Sequence, residues 1–379
     1  DLGNFPYLAT YGTNSSYNYL INGSKPVIVK APGLVAPDFT WETVTQMDFG
    51  FDASFLNNRL TGTFDWYRRN TKDMLVAGAT LPATLGASVP KSNSADMKTI
   101  GWELSLGWND RLENGFSYWV KGVLSDYQAT ITKYAGNDAG FYSQSDGDGK
   151  YYVGQKIGEI WGYHSNGLFQ SDDEAATIDQ SELYAGKWGA GDVKYEDLDN
   201  DGKITKGEET IYNPGDKSII GNKTPRYQFG ITVGFDYKNF DFEMFWQGTG
   251  KRDYMLSGAQ FWGFTSQWDV PYTPALDYWT ETNTDAYFPR PGWQNGGNRV
   301  TSDRYLQSAA YGRLKNLTVG YTIPKNLTTK WGISRLRLYV TGENLLTITP
   351  LNDAFDPETL GGMTYPINRK VAIGLNLTL

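Results

Sequence analysis

The 379-residue chain has no cysteine and one histidine, His164. Disulfides and thiolate metal sites are therefore excluded, as is a zinc centre built from several histidines. No run of about 18 apolar residues occurs, which excludes a membrane-spanning helix. Lys and Arg (34) are outnumbered by Asp and Glu (42), for a formal charge of -8 without any basic cluster. That balance argues against nucleic acid as a partner, because phosphate contacts need clustered cations. P-loop, G-x-G-x-x-G and G-x-S-x-G patterns are missing as well, and His164 lies in the loop-like stretch GYHSNG with no nucleophile motif. The sequence offers no enzyme.

What the chain does contain is 15% aromatic residues and 43 glycines at a mean hydropathy of -0.49. A barrel strand shows lipid only its alternate residues, so a chain can be hydrophilic on average and still build an apolar wall. Period-2 alternation recurs in segments of about 9–11 residues, the length of a tilted membrane-crossing strand. In 227–237, Tyr227, Phe229, Ile231, Val233, Phe235 and Tyr237 share one face, and Gln228, Gly230, Thr232, Gly234 and Asp236 share the other. The same criterion predicts strands at 47–55, 60–66, 100–108, 116–124, 240–248, 317–323, 336–342 and 371–379. That makes nine, and 7–20 would add one or two.

A soluble β-sandwich also alternates. The connections favour a barrel, because every second gap is tight (57–58, 109–115, 238–239, 324–334) and the others are long (71–97, 134–223, 251–307, 345–369). Short turns on one rim and long loops on the other mark outer-membrane barrels. The last segment, with Val371, Ile373, Leu375, Leu377 and Leu379 on one face, reads as a barrel-closing strand, although it ends in leucine rather than the usual aromatic. With that end periplasmic, 134–223 and 251–307 are extracellular loops. Nine to eleven strands close only a narrow barrel, too small for such loops, and the chain starts without a secretory signal. The expectation is an all-β fold in which 1–379 is the C-terminal part of one large transmembrane antiparallel β-barrel, its first strands missing.

Residues 197–208, DLDNDGKITKGE, fit the calcium-loop pattern D-x-[DN]-x-[DN]-G-x5-E. The expected ligands are Asp197, Asp199, Asp201, the Lys203 carbonyl, Thr205 and a bidentate Glu208, with Gly202 permitting the sharp turn. The approach GDVKYED reads as extended, so this would be a lone loop holding a structural Ca²⁺. The alternative is a solvated Asp/Asn/Gly turn. Ser171 with Asp172, Asp173 and Glu174 reads as a capping box that opens a short helix through Leu183. Loop aromatics Trp161, Tyr163, Phe261, Trp262, Phe264, Trp268, Tyr272, Trp279 and Trp293 could stack on sugar rings or anchor a partner. Trp161, Tyr163, Trp262, Trp268 and Trp279 are the candidates for substrate or partner contact. Loop packing is the plainer reading, and a membrane-boundary girdle better explains Trp66 and Trp108.

From about Ala36 onward the sequence resembles the SusC/RagA family of TonB-dependent nutrient importers. The resemblance is carried, in order, by APDFTWETVTQMDFGFDASFLNNRLTGTFDWYRRNTKDML, MKTIGWELSLGW, GLFQSDDEAATIDQ, GDVKYEDLDNDGKIT, IGNKTPRYQFGITVGFDYKNFDFEMFWQG, DYWTETNTDAYFPRP and RLKNLTVGYTIP. It implies a plugged barrel of 22 strands in the bacterial outer membrane. It further implies import of glycan fragments or peptides driven by TonB, and a SusD-type surface lipoprotein as lid. A passive porin and a secreted calcium-loaded carbohydrate-binding module are the competing readings.

Overall fold

The computed structural model describes residues 7–14, 20, 23–25, 27–30, 32–37, 39–77, 82, 84, 89–135, 137, 140, 151–184, 187–292, 295–360, 365 and 367–379. Gly12–Asn14 (β1) and Ile28–Lys30 (β2) make a small antiparallel pair. Thr43–Phe55 (β3), Leu60–Ala77 (β4), Lys91–Arg111 (β5) and Ser117–Tyr134 (β6) begin the wall. The first long loop carries Glu159–Tyr163 (β7), Ser165–Leu168 (β8), the one-turn helix Asp172–Ala175 (α1), Val193–Tyr195 (β9) and Lys217–Asn222 (β10). Arg226–Tyr237 (β11) and Phe240–Lys251 (β12) return to the wall. Asp253–Met255 (β13), Ala259–Trp262 (α2) and Leu306–Ser308 (β14) lie in the second long loop. Tyr311–Thr322 (β15), Lys325–Thr328 (α3), Arg335–Ile348 (β16) and Lys370–Thr378 (β17) complete the chain.

All nine strands expected from alternation form one antiparallel sheet in the order β17-β16-β15-β12-β11-β6-β5-β4-β3. Each wall strand pairs with the next wall strand along the chain. The expected extra strand at 7–20 does not join this sheet: β1 pairs only with β2, and 15–19 lie outside the described residues. Strands β4 and β5 run for 18 and 21 residues, so most of the gap expected at 71–97 is strand. Thr71 pairs with Met97 and Ala77 with Lys91. Beyond the bilayer a strand needs backbone pairing but no apolar face, and alternation of hydrophobicity loses sight of it there.

Register puts the apolar residues of neighbouring strands on one face. Phe49, Trp66 and Trp102 lie side by side across β3, β4 and β5, Leu124 is opposite Phe229, Val233 opposite Met244, and Val340 opposite Ile373. These side chains point away from protein: Ile231 is 40% exposed, Val371 71% and Ile373 83%. Such a face is stable only against lipid. At the tight-turn margin it ends in a girdle in which Phe116 stacks on Tyr118 and Phe235, Phe235 stacks on Phe242, and Phe240 meets Tyr321 at 4.7 Å. Trp108 belongs to it and donates to the Tyr118 hydroxyl at 3.1 Å. Aromatic bodies with polar tips suit that boundary.

The opposite face is polar, with Asp52 accepting from Thr63 at 2.7 Å and Arg337 paired with Asp241. Three rings on this face occupy the space beside glycines of the next strand: Tyr67 at Gly101, Trp119 at Gly234, and Tyr339 at Gly374. A methyl group at any of the three glycines would collide with the ring.

The pairing Leu60, Trp108, Val120, Val233, Met244, Leu317, Gly342, Val371 starts at the tight-turn end of β4 and reaches β17 seven residues above Thr378. At about 3.3 Å per residue and about 4.8 Å between strands, that stagger is a tilt of roughly 30–35°, near the range that closes barrels. The tight connections are stereochemically specific. Leu56, Asn57 and Asn58 take φ of 55°, 56° and 64°, and Lys238 takes 56° with its ammonium 5.1 Å from the Tyr237 ring centre.

Ile231→Arg, on the lipid face at mid-wall, is expected to cost about 2–4 kcal/mol in the unfolding of the intact protein from detergent or bilayer. Thr232→Arg, one residue along on the polar face, should stay within about 1 kcal/mol. Urea titration followed by tryptophan fluorescence distinguishes the two, and equal losses would mean that the faces are assigned wrongly.

Candidate functional site in the outer loops

The main hydrophobic core lies outside the wall. Tyr163, Leu168, Tyr184, Val193, Tyr195 and Ile204 from the first long loop pack with Leu256, Phe261, Trp262, Phe288 and Tyr305 from the second, and with Leu351 and Leu360 from the β16–β17 connection. Each such side chain contributes about 1.5–3 kcal/mol on burial, set against an ordering cost of about 1–2 kcal/mol per loop residue. Aromatic edges meet faces at its centre: Trp262 and Tyr305 at 4.6 Å, Tyr287 and Phe288 at 4.8 Å, Phe261 and Phe288 at 5.2 Å.

A buried carboxylate joins the two long loops. Asp192 is fully buried and accepts from Arg290 Nε (2.9 Å) and Nη2 (2.6 Å), Asn295 (3.0 Å), Asn298 (2.9 Å) and the Gly189 amide (2.9 Å). These side-chain hydrogen bonds push the Arg290 pKa above its ordinary value. Asn298 in turn accepts from the Val193 amide and the Tyr184 hydroxyl, both at 2.8 Å, and Tyr195 donates to the Gly297 carbonyl at 2.6 Å. Burial pushes the Tyr184, Tyr195 and Tyr305 phenols far up, so they stay neutral. The third connection is held by Arg313 of β15, itself buried, which pairs with Asp356 at 2.6 Å and Glu358 at 3.0 Å.

Three of the five aromatic candidates go into this packing, and a fourth, Trp161, packs elsewhere. Tyr163 and Trp262 are buried in the core, Trp279 packs partly against it, and half-buried Trp161 meets Tyr152 edge-on. Burial removes Tyr163 and Trp262 from direct contact with a cargo. Trp268 is different: it is 82% exposed, on a loop segment that also exposes Val270, Tyr272 and Leu276. Trp293 lies outside the described residues.

The calcium-loop residues are only partly gathered. Asp197 and Asp199 place carboxylate oxygens within 4.8 Å of each other and of Asp216, which the pattern does not include. Asp201 and Glu208 are outside this cluster. Asp201 accepts from the Lys203 amide at 2.8 Å, while the Glu208 amide opens a hairpin by donating to the Asn213 carbonyl. Thr205 meets Asp216 through its backbone, its amide donating to the carboxylate at 2.7 Å, and Lys203 extends the strand-like bridge to Asp179. Ile204 is buried in the core, and the flanks are extended or turns, as expected of a lone loop. Gly202 takes φ 84° and Asn200 φ 62°, which lets the amides of Asn200 and Gly202 close on Asp197 at 2.7 and 2.8 Å. Burial pushes the Asp216 carboxyl above its ordinary value, and Asp199 and Asp197 push it further, against the pull of the Thr205 and Leu198 amides. A divalent cation would reverse that penalty, and oxygens about 4.8 Å apart or less can share an ion at about 2.3–2.6 Å.

The capping box forms with one change. Ser171 accepts from the Glu174 amide at 3.1 Å, but Glu174 accepts from Gln170 rather than from Ser171. Helix α1 stops at Ala175, short of Leu183, because Thr177 takes the Glu174 carbonyl and the Trp188 indole takes that of Ala175. His164 bridges Asp303 (Nδ1, 2.8 Å) and Ser218 (Nε2, 2.7 Å). The order matches that of a hydrolase triad, yet Ser218 sits within the β7–β10 ladder opposite Gly162, where neighbouring amides serve strand pairing rather than an oxyanion hole. The contact fastens the two long loops. Sequence motifs missed it because Ser218 is 54 residues from His164.

Residues 3–345 match the family described as TonB dependent receptor-like, beta-barrel. The chain belongs to that family. As a TonB-dependent receptor barrel it is an outer-membrane protein and not an enzyme, which removes the secreted-module reading. It is 29% identical over 409 residues to TonB-dependent receptor P3 of Formosa agariphila, a match covering 98% of this chain and 38% of that relative. It is 26% identical over 380 residues to TonB-dependent receptor SusC of Bacteroides thetaiotaomicron, covering 98% and 35%. The solved RagAB peptide transporter shares the fold at a TM-score of 0.75 and 21% identity, over 99% of this chain and 39% of that one. The chain thus spans under two-fifths of the length of these TonB-dependent receptors.

Asp192→Ala leaves Arg290, Asn295 and Asn298 without their acceptor and is expected to destabilise the loop core of the receptor by about 3–5 kcal/mol. Hydrogen exchange should rise in 160–196 and 277–300 and stay unchanged in the wall strands. Unchanged exchange in both loops would mean that the carboxylate does not hold them together.

Proposed function

We propose that this chain supplies later wall strands and the outer vestibule of a TonB-dependent importer of oligomeric nutrients, glycan fragments or peptides, that works with a SusD-type lipoprotein lid. The observation that carries this reading is the packed outer-loop body on a lipid-facing wall. A passive pore needs an opening, whereas this chain invests its main core in a packed structure above the wall. The similarity to SusC and to a peptide transporter agrees with it. Cells carrying the intact protein are expected to take up labelled oligosaccharides or peptides only while TonB is present. Uptake that persists without TonB would establish a passive porin instead.

Within this reading, exposed Trp268, Val270 and Tyr272 form the contact surface for lid or cargo. Interface tryptophans commonly cost 2 kcal/mol or more on truncation, a loss of roughly 30-fold in affinity. Trp268→Ala is therefore expected to weaken lid capture or cargo binding by about that factor, measured by pull-down and by titration on the purified protein. An unchanged affinity for both would discard this surface.

We also propose that the first long loop holds a structural Ca²⁺ through Asp197, Asp199 and Asp216. Calcium should slow hydrogen exchange across 196–217, and a chelator should restore it. Asp216→Asn is expected to abolish the effect and Glu208→Gln to leave it. The reverse order would favour the ligand set of the sequence pattern.

A further inference from the structure

The connection between β15 and β16 is the longest on the tight-turn rim. Its sequence from Ile323 to Arg335, IPKNLTTKWGISR, carries three cations and no acid. Helix α3 continues through the single 3-10 turn Thr329–Trp331 and closes at Gly332, whose φ is 70°. Thr328 is fully buried, and its carbonyl accepts from the Ile333 amide, so the turn is folded against the end of the wall.

Leu327 and Trp331 are left 44% and 62% exposed. Lys325 and Lys330 are exposed beside them. The turn is continuous with the lipid face, since Tyr321 and Leu338, paired across β15 and β16, are exposed members of it just above. On the polar side, the hollow lined by Trp119, Asp236, Glu243, Arg335 and Arg337 includes no residue of 324–331. The lysine of the neighbouring turn is placed differently, since Lys238 lies over Tyr237 and lines that hollow. At the β3–β4 turn, Arg59 is engaged by Asp110 at 3.3 Å.

We propose that residues 324–334 are an interfacial anchor that binds anionic phospholipid headgroups of the leaflet at the tight-turn rim. Tryptophan rests at the headgroup level with its apolar body toward the acyl chains, and Leu327 extends that contact. The two lysines stand where lipid phosphates lie, and juxtamembrane cations favour anionic over zwitterionic lipid by several-fold each. The proposal rests on the outer-membrane placement and is independent of what the receptor imports.

The test uses the intact protein with a nitroxide label at Asn326→Cys, any other cysteine replaced, in nanodiscs of phosphatidylcholine with or without phosphatidylglycerol. The label should be accessible to oxygen and shielded from a water-soluble nickel chelate. Native mass spectrometry should show phosphatidylglycerol retained over phosphatidylcholine, and Lys325→Gln with Lys330→Gln should cut that preference by roughly tenfold. Urea titration of the same variant should give an unchanged wall. Free access of the nickel chelate would overturn the anchor, since the turn would stand in water. Shielding from both reagents would overturn it in favour of a protein contact. Retention that ignores headgroup charge, or survives loss of both lysines, would overturn the headgroup site.

Discussion

An amide left unpaired in hydrocarbon costs several kcal/mol, and no water is there to take its place. That constraint explains why the nine wall strands pair in strict sequence order and why their pairing, rather than side-chain packing, holds the wall together. It also explains the reversed distribution of apolar residues. Phe49, Ile231 and Ile373 are turned outward because the solvent there is lipid, and the face they leave behind can be polar.

Freed of a core in the wall, the chain builds one above it. The outer connections are too long to be held by their ends alone, and they are ordered by a shared aromatic interior and by Asp192. A carboxylate buried with a bidentate guanidinium, two amide side chains and a backbone amide has its charge fully answered, which is the condition under which a buried ion is tolerated. Arg313 does the same for the third connection from the wall side. Where β12 passes into β13 and β14 into β15, the Ala309 amide donates to the Arg252 carbonyl at 2.7 Å, so backbone pairing joins the described part of the loop body to the sheet.

Much of the wall was legible in the sequence because one solvent boundary imposes a period of two, as in 227–237. Strand ends were not, because β4 and β5 continue into water, where polar residues such as Asn70 and Lys98 serve as well as any. The loop interior was hidden for the opposite reason. Tyr163, Trp262 and Trp268 look alike as loop aromatics, and only tertiary packing separates the two buried ones from the exposed one. Asp216, in NPGDKS, and Asp192, in GAGDVKY, carry no local signal of a shared acceptor role. Arg290 between two prolines, in FPRPG, offered a faint one, a side chain on a stiffened backbone. The calcium pattern identified a sharp turn, but not that Asp216 rather than Glu208 lies beside Asp197 and Asp199, since a linear motif cannot register a carboxylate contributed by the far side of a hairpin.

The rings of Tyr67, Trp119 and Tyr339 set beside Gly101, Gly234 and Gly374 have a mechanical meaning. An aromatic residue on the inner face of a barrel would ordinarily project into the channel and grip whatever passes. Set in the space a side chain would take on the facing residue, each ring instead fills the gap its glycine leaves in the wall. Each ring is directly opposite its glycine in the ladder, so the register of three strand pairs is keyed by side chains as well as by backbone pairing.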